Sequence, residues 1–143
     1  EGGMSGIRAL TAMAIEPELY ACGVMNLPYT DWREVIHRDN YVGDYLKLLK
    51  ERLGDPKDAT DSISQISPIQ LADKIKSPVR ITYTLTSRSP LYSRIKKMVR
   101  ALEDSGSQVE FESNYKEEYG FQNYGKWLEE AVAFTEKHMP AKE

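Results

Sequence analysis

Cysteine, histidine and long apolar runs are what this sequence has least of. A single cysteine, Cys22, in 143 residues excludes an internal disulfide and leaves the redox compartment open. The two histidines, His37 and His138, lie far from each other and from Cys22, so no zinc-ligand spacing exists. No metal and no other cofactor is expected. No apolar stretch approaches the roughly 20 residues that span a bilayer. No secretory signal pattern is present either, and localisation stays open. Neither sign of charge dominates, with 19 Lys and Arg against 22 Asp and Glu, a net of −3. Phosphate binding wants a concentrated basic stripe, so nucleic acid is not an expected partner. The one basic cluster, Arg94, Lys96, Lys97 and Arg100, reads as the wet face of a helix.

What is present suits a soluble globular protein. Hydrophobic residues make up 41% and charged residues 29%, too apolar a mixture for a disordered chain. The length fits one domain over residues 1–143. The chain opens EGGMSG. It is therefore either a piece of something longer or starts properly at Met4.

Hydrophobic periodicity sets the elements. Gly6–Ile15 reads as a helix stopped by Glu16-Pro17. The nearly continuous apolar run Leu19–Leu27 reads as a strand buried on both faces. A helical excursion follows over about residues 30–55, opened by Asp31 with Glu34 as a capping box and closed by Gly54. Within it Tyr45, Leu48, Leu49 and Leu53 share one face. Ser67-Pro68 starts a short helix, PIQLADKI, with Ser67 as its N-cap.

Residues 79–85 form a strand in which Val79, Ile81, Tyr83 and Leu85 alternate with Arg80, Thr82 and Thr84, apolar on one face and polar on the other. Burying Arg80 and two hydroxyls unpaired would cost several kcal/mol, so that face is either wet or covered by a polar partner. Ser89-Pro90 opens a helix with Leu91, Ile95, Met98, Val99 and Leu102 as its stripe, closed by Gly106. Residues 108–113 form a third strand with Val109 and Phe111 inward. A last helix, about Gly125–Met139, places Trp127, Leu128, Ala131 and Phe134 on its core side. The alternation of strands and helices predicts an α/β fold with about three parallel strands, 19–27, 79–85 and 108–113, and flanking helices.

Four stretches carry a resemblance to a known family. EPELYACGV, ISPIQLADKIKSPV, MVRALEDSGSQVEF and EEYGF resemble, in order, segments from the C-terminal half of the catalytic domain of the prolyl oligopeptidase family of serine peptidases. The resemblance implies a three-layer α/β-hydrolase-like partial domain. It also implies three positions where a Ser, an Asp and a His would stand. An ungapped register puts Gly3 at the serine position, or Met4 after a one-residue shift, Ser87 at the aspartate and Tyr119 at the histidine. A phenol with a pKa near 10 is a poor general base at neutral pH. All three positions of the implied triad are thus vestigial, and no catalytic residue is expected.

The resulting expectation is a catalytically silent module, a pseudoenzyme, serving as a structural or protein-interaction subunit. The alternative is a serine peptidase or esterase fragment whose site is completed by another chain or by Ser5. A third reading has a small ligand in a vestigial pocket lined by Tyr83, Ser87, Tyr119 and Phe121, against the plainer view that these pack the core and turns. The strands that precede the nucleophile in the family are absent from this sequence, which leaves an open sheet edge at Leu19–Leu27. An N-terminal half missing from this sequence, a protein partner or a second copy is expected to cover that edge. Of the remaining candidates, Cys22 reads as an inert core thiol, His37 as exposed, and His138 as a residue suiting the helix dipole.

Overall fold

Met25, Ile81 and Phe111 stand side by side on three parallel strands, and that row marks the apolar face of the sheet. The computed structural model describes residues 3–37, 44–54, 60–84, 90–113 and 122–139. The strands are β1 (Gly23–Pro28), β2 (Val79–Tyr83) and β3 (Val109–Ser113), in the order β1-β2-β3. Among the described residues six α-helices surround them: α1 (Gly3–Ile15), α2 (Trp32–His37), α3 (Asp44–Leu53), α4 (Thr60–Gln65), α5 (Pro90–Asp104) and α6 (Gln122–His138). Parallel neighbours require crossovers, and α5 is the crossover from β2 to β3.

Side chains alternate along each strand, so the two faces have different chemistry. The apolar face carries Val79, Ile81 and Tyr83 of β2 with Met25 of β1. It is packed by Leu10, Met13 and Ala14 of α1 and by Ile95, Met98, Val99 and Leu102 of α5. On the other face the register pairs Val24, Arg80 and Glu110, then Asn26, Thr82 and Glu112. α6 lies there, with Trp127 Nε1 donating to Thr82 Oγ1 at 2.9 Å. Two helices, a sheet and a third helix make the three layers expected of the fold. A smaller apolar cluster joins Ile7 of α1, Tyr29, Trp32, Val35 and Ile36 around α2, and Ile63 of α4.

The polar face of β2 is covered, not wet. Arg80 is 9% exposed and Thr82 2%. The covering element is α6 of the same chain, through its own polar side chains. β1 is shorter than the apolar run that predicts it. Its pairing begins where Gly23 meets Val79, while Glu16 to Leu19 form a turn in which Leu19 N donates to Glu16 O and the Leu19 side chain is 72% exposed. Nor is β1 buried on both faces, since only Met25 and Pro28 are buried in it. β2 ends at Tyr83, and Leu85 lies outside the described residues.

Four local expectations change. Ser67 and Pro68 open two successive 3₁₀ turns, Pro68–Gln70 and Ala72–Lys74, in place of a single α-helix. Ser67 makes no cap; its fully buried hydroxyl accepts from Trp32 N at 3.1 Å and lies 2.8 Å from Ile63 O and 3.2 Å from Asp31 Oδ1. Half of the capping box forms, with Arg33 N donating to Asp31 Oδ1 at 2.9 Å, while the Glu34 carboxylate takes Arg94 Nε of α5 at 3.0 Å. In α3 Leu48 is exposed and only Leu53 reaches the smaller cluster; the side chains of Tyr45 and Leu49 lie outside the described residues, as does that of His37. In α6 Leu128 is 47% exposed, whereas Ala131 and Phe134 are buried as expected. The closing glycines Gly54 and Gly106 both have positive φ, as expected.

Candidate functional site

Gly3 opens α1 with φ +50°, a left-handed backbone that side chains other than glycine adopt at a cost. Its carbonyl accepts from Tyr29 N at 3.3 Å, and Gly3 forms a parallel bridge with Pro28 at the end of β1. A sharp entry from an extended backbone into a helix is what a nucleophile elbow requires. At the position the resemblance gives to the serine, the described part of that geometry is the left-handed backbone of Gly3 at the start of α1. Among the described residues a Cβ built on Gly3 would meet nothing nearer than Tyr29 Cε2 at 4.0 Å. The position therefore has room for a side chain and does not carry one.

Ser5 sits in the first turn of α1 and is half-buried. Met4 packs against the smaller apolar cluster. Tyr83, fully buried at the end of β2, stands edge-on to Tyr92 of α5 with ring centroids 4.9 Å apart. It is a packing residue of the core. Ser87, Tyr119 and Phe121 lie outside the described residues, so of the three triad positions the described structure places only Gly3.

Other titratable candidates have structural surroundings. Cys22 is half-buried just before β1; burial raises its thiol pKa, against a hydrogen bond with Thr135 of α6 that lowers it. A thiol shifted that way is a poor nucleophile. His138 lies in the last turn of α6 with its ring 4.5 Å from that of Phe134. Burial opposes ionisation of Asp31, but hydrogen bonds from Arg33 and Ser67 outweigh it and hold the carboxyl below its ordinary range. Together with Trp32 Nε1 donating to Thr11 Oγ1 at 3.1 Å, that network fastens α2 to α1 and to the first 3₁₀ turn. Among the described residues no three His, Cys, Asp or Glu side chains gather as a metal site would need. No helix among them is long and apolar enough to cross a membrane.

The most concentrated charge cluster went unforeseen in the sequence. Arg80 of β2 donates through Nη1 to Glu110 at 3.3 Å, and through Nη2 to Glu112 at 2.7 Å and Glu130 at 2.6 Å. Lys137 donates to Glu110 at 3.0 Å. The signal lay in the parity of VEFES, which puts Glu110 and Glu112 on the face that Arg80 shares once β3 is parallel to β2. An open cleft of about 550 Å³ lies elsewhere, lined by Ile15, Pro17, Ile66, Leu71, Asp73 and Lys76, away from Gly3.

Solved structures share this fold. Puromycin hydrolase superposes with a TM-score of 0.75 at 18% identity, over 99% of this chain and 22% of that one. Porphyromonas gingivalis dipeptidyl peptidase 4 gives 0.74 at 14% identity, over 96% and 19%. Pyrococcus horikoshii acylaminoacyl peptidase gives 0.69 at 20% identity, over 99% and 24%. The chain thus spans about a quarter or less of each of these proteins, and identities this low speak for the fold alone. Among curated proteins no sequence matches. Residues 2–142 match the sequence pattern of the prolyl oligopeptidase family, and the chain belongs to that family.

Proposed function

We propose that this chain is a prolyl oligopeptidase-like module with no working serine charge relay of its own, serving as a structural or protein-interaction subunit. Gly3 supports the reading: a left-handed backbone at the start of α1, with room for a side chain among the described residues, is held by a residue without one. Acyl transfer needs a nucleophile with a base in hydrogen-bond reach. Ser87 and Tyr119 at the other two positions supply neither a carboxylate for orientation nor an imidazole for proton transfer. The interaction role draws on the sheet, in which β1 pairs with a strand on one side only among the described residues. It draws equally on apolar side chains left exposed, Leu19 beside that strand and Tyr124, Leu128 and Val132 on α6. A second copy or another protein then covers the β1 edge.

Incubation with a fluorophosphonate probe, followed by intact mass, tests the catalytic half of the proposal. The folded chain is expected to gain no adduct. One adduct that disappears in Ser5→Ala would make the protein a serine hydrolase using Ser5, and the proposal would fail. Native mass measurement tests the other half, with a complex expected when a partner covers the β1 edge.

A further inference from the structure

α6 is attached to the sheet in an unusual way. None of its side chains belongs to either apolar cluster among the described residues. Towards the sheet it presents Trp127, Glu130, Ala131, Phe134 and Lys137, and its specific contacts there are polar. These are Trp127 with Thr82, Glu130 with Arg80, and Lys137 with Glu110. Its outward side meanwhile exposes Tyr124, Leu128 and Val132, spaced four residues apart on one stripe. Among the described residues two buried nitrogens find no hydrogen-bond partner, Arg80 Nε at that interface and His138 Nε2 in the last turn of α6. Such atoms oppose docking, because water would satisfy them.

The surface beneath α6 tolerates exposure. Leaving the sheet would uncover Arg80, Thr82, Glu110 and Glu112, which water solvates well, together with the buried Ala131 and Phe134 of α6 itself, while the apolar face stays sealed by α1 and α5. We infer that α6 is a charge-held latch that opens as a unit while the β1-β2-β3 sheet, α1 and α5 remain folded. The charges at its seat are Arg80 on β2, Glu110 and Glu112 on β3, and Glu130 with its helical neighbour Lys126 and with Lys137 on α6. β1 contributes the neutral Asn26, which accepts from Thr82 and Thr84. Partly exposed ion pairs weaken with salt, so opening becomes more frequent as ionic strength rises. This inference is independent of the catalytic reading of Gly3.

Native-state hydrogen exchange on the full chain, read by peptide mass, is the test. The α6 amides are expected to exchange about tenfold or more faster than those of β2 and α5, as a separate cooperative unit. Glu130→Gln, and separately Trp127→Phe, should speed α6 further without changing protection of β2 and α5, and added salt should do the same in the wild type. Exchange of α6 at the rate of β2 in the wild type would overturn the inference. Equal acceleration of α6, β2 and α5 by Glu130→Gln would overturn it too, since α6 would then be part of one folding unit.

Discussion

The Arg80 guanidinium on the central strand lies 2.6 Å from the Glu130 carboxylate on the last helix, and this pair joins the sheet to the helix that covers its polar face. A single cation there serves three acids, since Glu110 and Glu112 share it. Arg suits the task because its planar fork offers several donors at once. Lys would present one compact charge to the same three carboxylates.

Removal of the cation alone is the informative change. Arg80→Leu leaves three carboxylates without the cation they share, with Lys137 still beside Glu110 and Lys126 beside Glu130, and the expected loss of stability is about 2 kcal/mol. The acids are each about a third exposed, so water relieves part of their repulsion and keeps the loss below that of a sealed ion pair. Combining Arg80→Leu with Glu130→Leu should recover part of the loss, because the two positions are in contact and their effects are not additive. Urea unfolding of the four proteins in the cycle measures it. A double variant as unstable as the sum of the singles would show that the pair is not coupled.

The acid limb of stability should report Asp31 and Glu110. Both carboxyls are held below their ordinary values: Asp31 because its burial is outweighed by hydrogen bonds from Arg33 and Ser67, Glu110 chiefly by its hydrogen bond with Lys137. A carboxyl with a depressed folded pKa contributes stability that is fully present above the unfolded value. That contribution is lost as pH falls through the folded one. Stability should therefore be level near neutrality and decline below about pH 4. Asp31→Asn should be less stable than the wild type at pH 7 and should lose less on acidification. Chemical unfolding at a series of pH values checks this, and parallel acid limbs for the two proteins would contradict it.

Gly23 is required by a close approach, and its backbone φ is ordinary. A Cβ there would stand 2.6 Å from Met13 Sδ and 3.0 Å from Met25 Cε, where α1 crosses the start of β1. Both methionine side chains are buried, so they have little space to retreat into. Gly23→Ala should cost about 1–2 kcal/mol through overpacking. Adding Met13→Leu, which removes Met13 Sδ and Cε but leaves Met25 Cε, should return about half of it. Thermal unfolding of the single and double variants checks this, since the backbone-entropy effect of Gly→Ala favours folding and a loss that Met13→Leu does not repair would contradict the overpacking.

How far the sequence disclosed this arrangement varies with the physics of each part. The alternation in Val79–Tyr83 and the i, i+4 stripe of Leu91, Ile95, Met98, Val99 and Leu102 are local patterns, and both elements lie where they predict. Leu19 and Leu128 are apolar residues that the same patterns place inside, yet both are exposed. Hydrophobicity alone does not say which side of an element a neighbour will cover. Ser67 is a stronger example. Ser-Pro before a short apolar run signals a cap, but the hydroxyl is drawn 36 residues away in sequence to Asp31, a contact no local reading contains. The Arg80 cluster needed the parallel pairing of β2 and β3 before its parts could be assigned to each other. Of the implied triad, only Gly3 lies within the described residues, and its positive φ was not legible from the letter G.

Gly3→Ser asks whether the elbow alone can be refitted. The side chain fits, because among the described residues the nearest atom to the new Cβ is Tyr29 Cε2 at 4.0 Å. The backbone resists it, since φ is +50° and an L-residue in that region costs about 1 kcal/mol or a little more. The variant should therefore fold, with a midpoint slightly below that of the wild type. It should also remain unlabelled by a fluorophosphonate, because a serine without an adjacent base stays protonated and weak. Intact mass and thermal unfolding of the same sample give both answers. An adduct on the introduced hydroxyl would mean that a base is within reach after all, supplied by Tyr119 or by a neighbouring chain. The silent reading would then apply to the nucleophile alone.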